Sequence, residues 1–218
     1  MIKILVVDDH ALVRTGVKRI LEDINGFKVV GEAQTGEEAV QLTRELSPNV
    51  VLMDIKMPGI GGLEATRKLL RFDPDIKILV LTVCSDDLFP SRLLQAGASG
   101  YITKDSSTEE MVRAIRIINS GQRYISPEIA SQLAIKHLTE STETPFEMLS
   151  ERELQVAIMI TNGVRVQAIS EKLCLSPKTV NSYRYRIFDK LTIENDVELT
   201  HLAMRHGLLS EMVESPVE

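Results

Sequence analysis

The chain is poor in cysteine: two among 218 residues, Cys84 and Cys174. They fall in segments that read as different domains, which argues against a disulfide framework and for reduced thiols in a cytoplasmic protein. No apolar run approaches the ~18–20 residues needed to span a bilayer. The N-terminus lacks the basic region and cleavage site of a signal peptide; its apolar run is a strand that leads into acids. Positive charge is not in excess either. Lys and Arg number 25 against 31 Asp and Glu, a net charge of −6, so any nucleic-acid footprint must be a local cluster. Internal repeats and compositionally extreme segments are also missing.

What is present is an alternation of strand and helix over residues 1 to about 120. Strand-like runs fall near 2–7, 27–32, 50–53, 77–82 and 99–102. Helical spacing appears between them, as in Leu12, Val13, Val17, Ile20, Leu21 and Ile24. Gly26, Gly97 and Gly121 lie where helix C-caps are expected. Five such units predict an α/β fold, a doubly wound five-stranded parallel sheet of order 2-1-3-4-5.

Three aspartates stand at strand ends. Asp8-Asp9 follow Ile4-Leu5-Val6-Val7, and Asp54 follows Val50-Val51-Leu52-Met53. Open α/β sheets bind ligands at the carboxyl ends of the strands flanking the switch point, here the first and third. Converging carboxylates repel, and a hard divalent cation such as Mg2+ relieves that repulsion. One carboxylate can then act as nucleophile toward a phosphoryl group. The tight loop Met57-Pro58-Gly59-Ile60-Gly61-Gly62 turns a backbone carbonyl, that of Lys56, toward the metal site. Thr82 and Lys104 close the fourth and fifth strands, so a hydroxyl donor and an ammonium reach the same edge. Any single strand-end acid could simply cap the next helix, as Asp9 could cap one beginning at Ala11. Five groups at successive strand ends point to a shared site. His10 reads as a surface residue and the methionines as core filler.

These residues, with Met57-Pro58-Gly59 and Tyr101, closely resemble a response-regulator receiver domain over residues 1–120. The resemblance implies that Asp54 accepts phosphate from a phosphohistidine of a sensor histidine kinase. Mg2+ would be held by Asp8 (through water), Asp9, Asp54 and the Lys56 carbonyl. Thr82, Tyr101 and Lys104 would be the switch residues. Two positions depart from the family pattern. Asp105 stands after Lys104 where proline is usual, and Val83 follows Thr82 where a small residue is common.

Residues 121–148 read as a connector: a short helix begins at Ser126-Pro127-Glu128, and Thr139 to Pro145 form a polar, acidic linker. Residues 149–209 read as all helical, and 210–218 as an acidic tail with Glu211, Glu214 and Glu218. Ser150 and Glu153 form a capping box. The spacing of helices near 166–173 and from Pro177 to Leu191 is that of a helix-turn-helix, followed by a fourth helix from Asn195-Asp196 to Gly207. The Pro177 helix buries a stripe of Val180, Tyr183, Ile187 and Leu191. Its other face offers Asn181, Ser182 and Tyr185 to base edges and Lys178, Arg186 and Lys190 to phosphates.

Leu149-Ser150-x-Arg152-Glu153, Gly163, Ile169, Leu173, Leu175-Ser176-x-x-Thr179-Val180, Ile187 and Lys190-Leu191 resemble the LuxR-type DNA-binding domain, and on that pattern Thr179 joins the DNA-binding set. Asn181, Tyr183 and Arg184 depart from the family's usual residues, which bears on base preference. In the fourth helix Val197, His201 and Met204 form a second stripe suited to dimerisation. Receiver plus this domain is the NarL/FixJ architecture. The runs around Asp54 and through Ser176–Arg186 are similar to the GacA/UvrY group. That resemblance implies a global regulator, dimeric when phosphorylated, paired with a tripartite hybrid sensor kinase and acting with RNA polymerase at promoters that include small regulatory RNA genes. The alternatives are a Mg2+-dependent phosphatase or phosphotransferase, and a receiver with a protein-binding output. Placement of the candidate nucleophile after the third strand argues against the first alternative.

Overall fold

Runs rich in Val, Ile and Leu become strands because both of their faces are covered. They are β1 (Ile2–Val7), β2 (Phe27–Ala33), β3 (Val50–Asp54), β4 (Lys77–Thr82) and β5 (Gly100–Thr103). The computed structural model describes residues 1–82, 90–138, 144–206 and 208, with backbone alone at Thr82, Ser91, 136–138 and Glu151. The chain divides into two compact units, Met1–Ser141 and Thr142–Glu218.

In the first unit all strands pair in parallel, in the order β2-β1-β3-β4-β5-β6. The expected order of five is present, but the expected count is corrected to six. Tyr124–Ile125 form β6 beside Gly100–Tyr101 of β5. The helices are α1 (Ala11–Glu22), α2 (Gly36–Leu46), α3 (Gly61–Phe72), α4 (Pro90–Gln95), α5 (Thr108–Asn119) and α6 (Pro127–Leu138). Thr35 and Ser107 accept the backbone N–H groups of Glu38 and Glu110, capping α2 and α5. One apolar layer joins Ile4, Leu52, Leu79 and Ile102 of the sheet to Leu21 of α1 and Ile115 of α5. The segment expected as a connector thus contributes β6 to the sheet. Its helix α6 packs on α4 and β5, with Ile129 buried.

The second unit opens with a 3-10 turn, Pro145–Met148, whose Phe146 is fully buried. Four helices follow: α7 (Glu151–Thr161), α8 (Val166–Leu173), α9 (Pro177–Leu191) and α10 (Asp196–Arg205). The capping box of Ser150 and Glu153 is present, Ser176 caps α9, and Asn195 caps α10. Leu154, Ile169, Val180, Ile187 and Leu199 form the core. The α8–α9 turn bends through Cys174 in the left-handed region, φ 54°. The expected polar linker at 139–143, the helix-closing Gly207 and the acidic tail lie outside the described residues. Among the described residues no helix is long and apolar enough to cross a membrane.

Candidate functional site

The ends of β1, β3 and β5 deliver their charged residues to one place. Asp8 is fully buried and Asp54 nearly so, while Asp9 is half-exposed. Lys104, one residue past β5, places its Nζ 2.7 Å from Asp8 Oδ2 and 3.0 Å from Asp54 Oδ2. Asp54 Oδ1 accepts the Ile55 N–H at 2.8 Å, which fixes the rotamer and leaves Oδ2 toward the lysine. Asp8 Oδ1 accepts the His10 N–H at 2.8 Å. The His10 ring, judged a surface feature from sequence, is exposed, yet its Nδ1 lies 2.8 Å from Asp9 Oδ1 and 3.2 Å from Asp8 Oδ1.

These charges reset one another. Burial pushes Asp54 up, Lys104 pulls it down and Asp8 pushes it up again, leaving it at about 6. Burial alone would lower Lys104, but the charges and hydrogen bonds of Asp54 and Asp8 outweigh it and hold the ammonium above its ordinary value. The pocket therefore favours cations and disfavours the charged form of Asp54. Ligand atoms of Asp8, Asp9, His10 and Asp54 lie within 4.8 Å of one another. Three carboxylates this close, those of Asp8 and Asp54 buried and that of Asp9 partly exposed, are hard-oxygen donors that fit a divalent cation such as Mg2+.

Below the pocket, Gly62 touches the chain at Asp54. A Cβ there would stand 2.0 Å from the Asp54 carbonyl oxygen, so only glycine allows α3 to begin this close. Gly59 takes φ +84° with the Glu37 carboxylate beside it, and Glu37 also accepts the Ile60 N–H at 3.2 Å. This loop carries Lys56. Tyr101 is fully buried on β5. Thr82 ends β4 opposite Thr103, described as backbone only. Val83 and Cys84 lie outside the described residues. No cis peptide bond occurs among the described residues, so Lys104–Asp105 is trans.

In the second unit, α9 buries Val180, Ile187 and Leu191, with Phe188 beside them. Tyr183, expected in that stripe, is only half-buried under the Arg186 guanidinium. Lys178, Ser182, Tyr185 and Arg186 are exposed, and Thr179 and Asn181 partly so. Thr179 Oγ1 lies 2.8 Å from the capping Ser176 Oγ, and Ser182 Oγ donates to the Lys178 carbonyl at 3.0 Å. Lys190 differs from the others: its Nζ is 2.6 Å from Glu153 Oε2 and donates to the Met148 carbonyl at 3.1 Å. Sequence pattern puts it on the DNA side, while its hydrogen bonds point into the domain. On α10, Val197, His201 and Met204 are all exposed.

Two family descriptions match this chain: "Response regulator receiver domain" over residues 4–116, and "Bacterial regulatory proteins, luxR family" over residues 147–203. The response regulator GacA of Pseudomonas aeruginosa is 65% identical over 210 residues, which cover 96% of this chain and 98% of that one. The chain is a two-component response regulator with a LuxR-type DNA-binding domain. The response regulator UvrY of Escherichia coli is 60% identical over 209 residues, covering 95% of this chain and 96% of that protein. The solved complex of the response regulator RcsB with DNA shares 25% identity at a TM-score of 0.59, covering 93% and 98% of the two chains. The family of this response regulator is one of transcription regulators and not of enzymes.

Proposed function

We propose that this response regulator is switched by phosphorylation of Asp54, and that phosphorylation promotes binding of its C-terminal helices to promoter DNA. The observation that carries this reading is the Lys104 ammonium set between Asp8 and Asp54. A partly buried lysine shared by two carboxylates is already placed to hold a phosphoryl oxygen once Asp54 forms the acyl phosphate.

An Asp54 carboxylate oxygen attacks the phosphorus of a phosphohistidine on the sensor kinase. The P–O bond forms, the P–N bond breaks, and the imidazole leaves with the electron pair and takes up a proton. Mg2+ supplies charge neutralisation at the transferring group when bound. Asp9, Asp54 and the Lys56 carbonyl would hold it directly, and Asp8 through water. Before transfer the raised Asp54 must lose its proton, which the cation and Lys104 both favour. Afterward Lys104 holds one phosphoryl oxygen, Thr82 donates to another, and Tyr101 reports the change within the sheet.

The output is DNA. Asn181, Ser182 and Tyr185 read base edges, Lys178 and Arg186 contact phosphates, and Thr179 secures the start of α9. Val197, His201 and Met204 pair two copies, so that two recognition helices meet half-sites about one helical turn apart. Exposure of these residues supports the reading, as does the solved complex of RcsB with DNA. The sensor is a tripartite hybrid kinase. The targets include small regulatory RNA genes, read with RNA polymerase in the cytoplasm; likeness to GacA and UvrY supports these finer assignments.

The test is incubation with a small-molecule phosphodonor and intact-mass measurement. The wild type gains one phosphoryl mass, and Asp54→Asn or a chelator abolishes the gain. Persistence of the gain in Asp54→Asn would remove Asp54 as acceptor.

A further inference from the structure

Arg14 is a buried cation on α1 that the phosphoryl-transfer scheme leaves unused. It is 8% exposed, and its Nη1 donates to the main-chain carbonyl of Asp8 at 2.7 Å. Its Nε lies 4.0 Å from Glu32 Oε2 on β2, and Lys18 Nζ holds the same carboxylate at 2.8 Å. In the turn that Arg14 reaches into, the Asp8 side chain is held by the His10 N–H at 2.8 Å, while its main-chain carbonyl is held by Arg14. His10 occupies the N-cap of α1 without a capping side-chain hydrogen bond, and the first turn of α1 has no acid. Asp8 is fixed on its N–H side by the Ala33 carbonyl at 3.1 Å. On its carbonyl side it is fixed by Arg14.

We propose that Arg14 is a positioning residue for the acidic pocket, clamping the Asp8 backbone so that Asp8 and Asp9 present their carboxylates in a geometry ready for Mg2+. This rests on the Mg2+ reading above. Burying a guanidinium against a carbonyl is costly where an apolar side chain would pack as well. Its placement against Asp8 gives the charge a purpose that helix anchoring alone does not. Glu32 orients the guanidinium, and Lys18 orients Glu32. Groups behind metal ligands act on affinity, because a ligand left free to move must be ordered again at each binding event.

The experiment is calorimetric Mg2+ titration of the full chain, alongside its thermal midpoint and the Mg2+ dependence of phosphorylation by a small-molecule donor. Arg14→Met should weaken Mg2+ binding by ~10-fold or more, while the phosphorylation rate at saturating Mg2+ stays within about twofold. Arg14→Lys, which keeps a donor within reach of the Asp8 carbonyl, should recover most of that loss. Glu32→Gln, which keeps Arg14 but loosens it, should show a smaller weakening and is the deciding variant should Arg14→Met not fold. A folded Arg14→Met with unchanged or tighter Mg2+ binding overturns the proposal and leaves Arg14 as a helix anchor. So does unchanged binding in Glu32→Gln where that variant decides. If the wild type takes up no Mg2+, or Asp9→Asn takes it up equally well, the Mg2+ reading itself fails and this inference falls with it.

Discussion

Arg184 of α9 and Asp196 of α10 meet as a two-pronged ion pair, Nε 2.7 Å from Oδ1 and Nη2 2.5 Å from Oδ2. The guanidinium also lies over the Phe188 ring at 5.5 Å. The helix proposed to read DNA is thereby tied to the helix proposed to pair two copies. Both side chains are partly exposed, so the pair contributes at the upper end of the surface range, about 1 kcal/mol. Arg184→Ala should lower the thermal midpoint of the second unit and leave the salt dependence of DNA binding unchanged. A flatter salt slope would show that Arg184 contacts phosphate instead.

Lys190 is expected to behave as a structural lysine. Its removal strands the buried Glu153 carboxylate, which Lys190 and the Ser150 N–H hold below the usual range against the opposing effect of burial. Lys190→Ala should cost about 1–3 kcal/mol of stability. Arg186→Ala, by contrast, should flatten the salt slope by about one unit and weaken cognate and scrambled duplexes alike. Because the Glu153 carboxyl is depressed, its contribution is present above the unfolded value and is lost as pH falls through the lower folded one. Denaturant midpoints and duplex titrations of the two variants separate these roles; equal salt slopes for both variants would merge them.

Asn181→Ala should cost ~1–3 kcal/mol at the cognate site and little on random DNA. Equal weakening on both duplexes would remove Asn181 from the base readers.

Asp54 gives stability an unusual pH dependence. Burial, the largest influence on it, raises its folded value to about 6, above the ordinary carboxylate value of 3.8. Its contribution is therefore fully present below the unfolded value and is lost as pH rises through about 6. Without divalent cations the wild type should lose on the order of 2–3 kcal/mol across that window relative to Asp54→Asn. Urea midpoints of the two proteins with a chelator, measured from acid to neutral pH, check this. Parallel curves would mean that Lys104 already compensates the charge.

Gly62→Ala should disable Asp54 without touching its side chain. The added methyl has nowhere to go but into the Asp54 carbonyl, and overpacking of that kind costs about 1–3 kcal/mol. Phosphate acceptance should fall sharply in a protein that still has its aspartate. Wild-type rates in the variant would show that α3 can shift away freely.

Much of this was legible in the sequence because it is written in runs. Five strands show as apolar stretches, four of them ending in charge or hydroxyl, and the pocket follows once those four ends are lined up. Three helices of the second unit, α7, α9 and α10, show through their caps: Ser150 with Glu153, Ser176 with Pro177, Asn195 with Asp196. What escaped has no period. Tyr124–Ile125 is two residues long and is a strand only because β5 offers partners. Phe146 is one aromatic in a polar stretch, and burial of a single side chain leaves no pattern. Arg14 and Lys190 look like the wet sides of their helices; only the fold reveals which backbone carbonyl each one reaches.

A sheet built this way ends on two guarded borders. At one, β2 slips register against β1 between Ile4 and Leu5, leaving Val30 unpaired, and exposes Lys28. At the other, β6 stops after two residues and Pro127 follows after one intervening residue, without an N–H to donate. A bulged, lysine-bearing strand and a two-residue stub are both poor templates for a stranger's backbone. Strand-by-strand growth between copies is therefore discouraged at each border, so the pairing of two copies proposed above would have to run through helical surfaces.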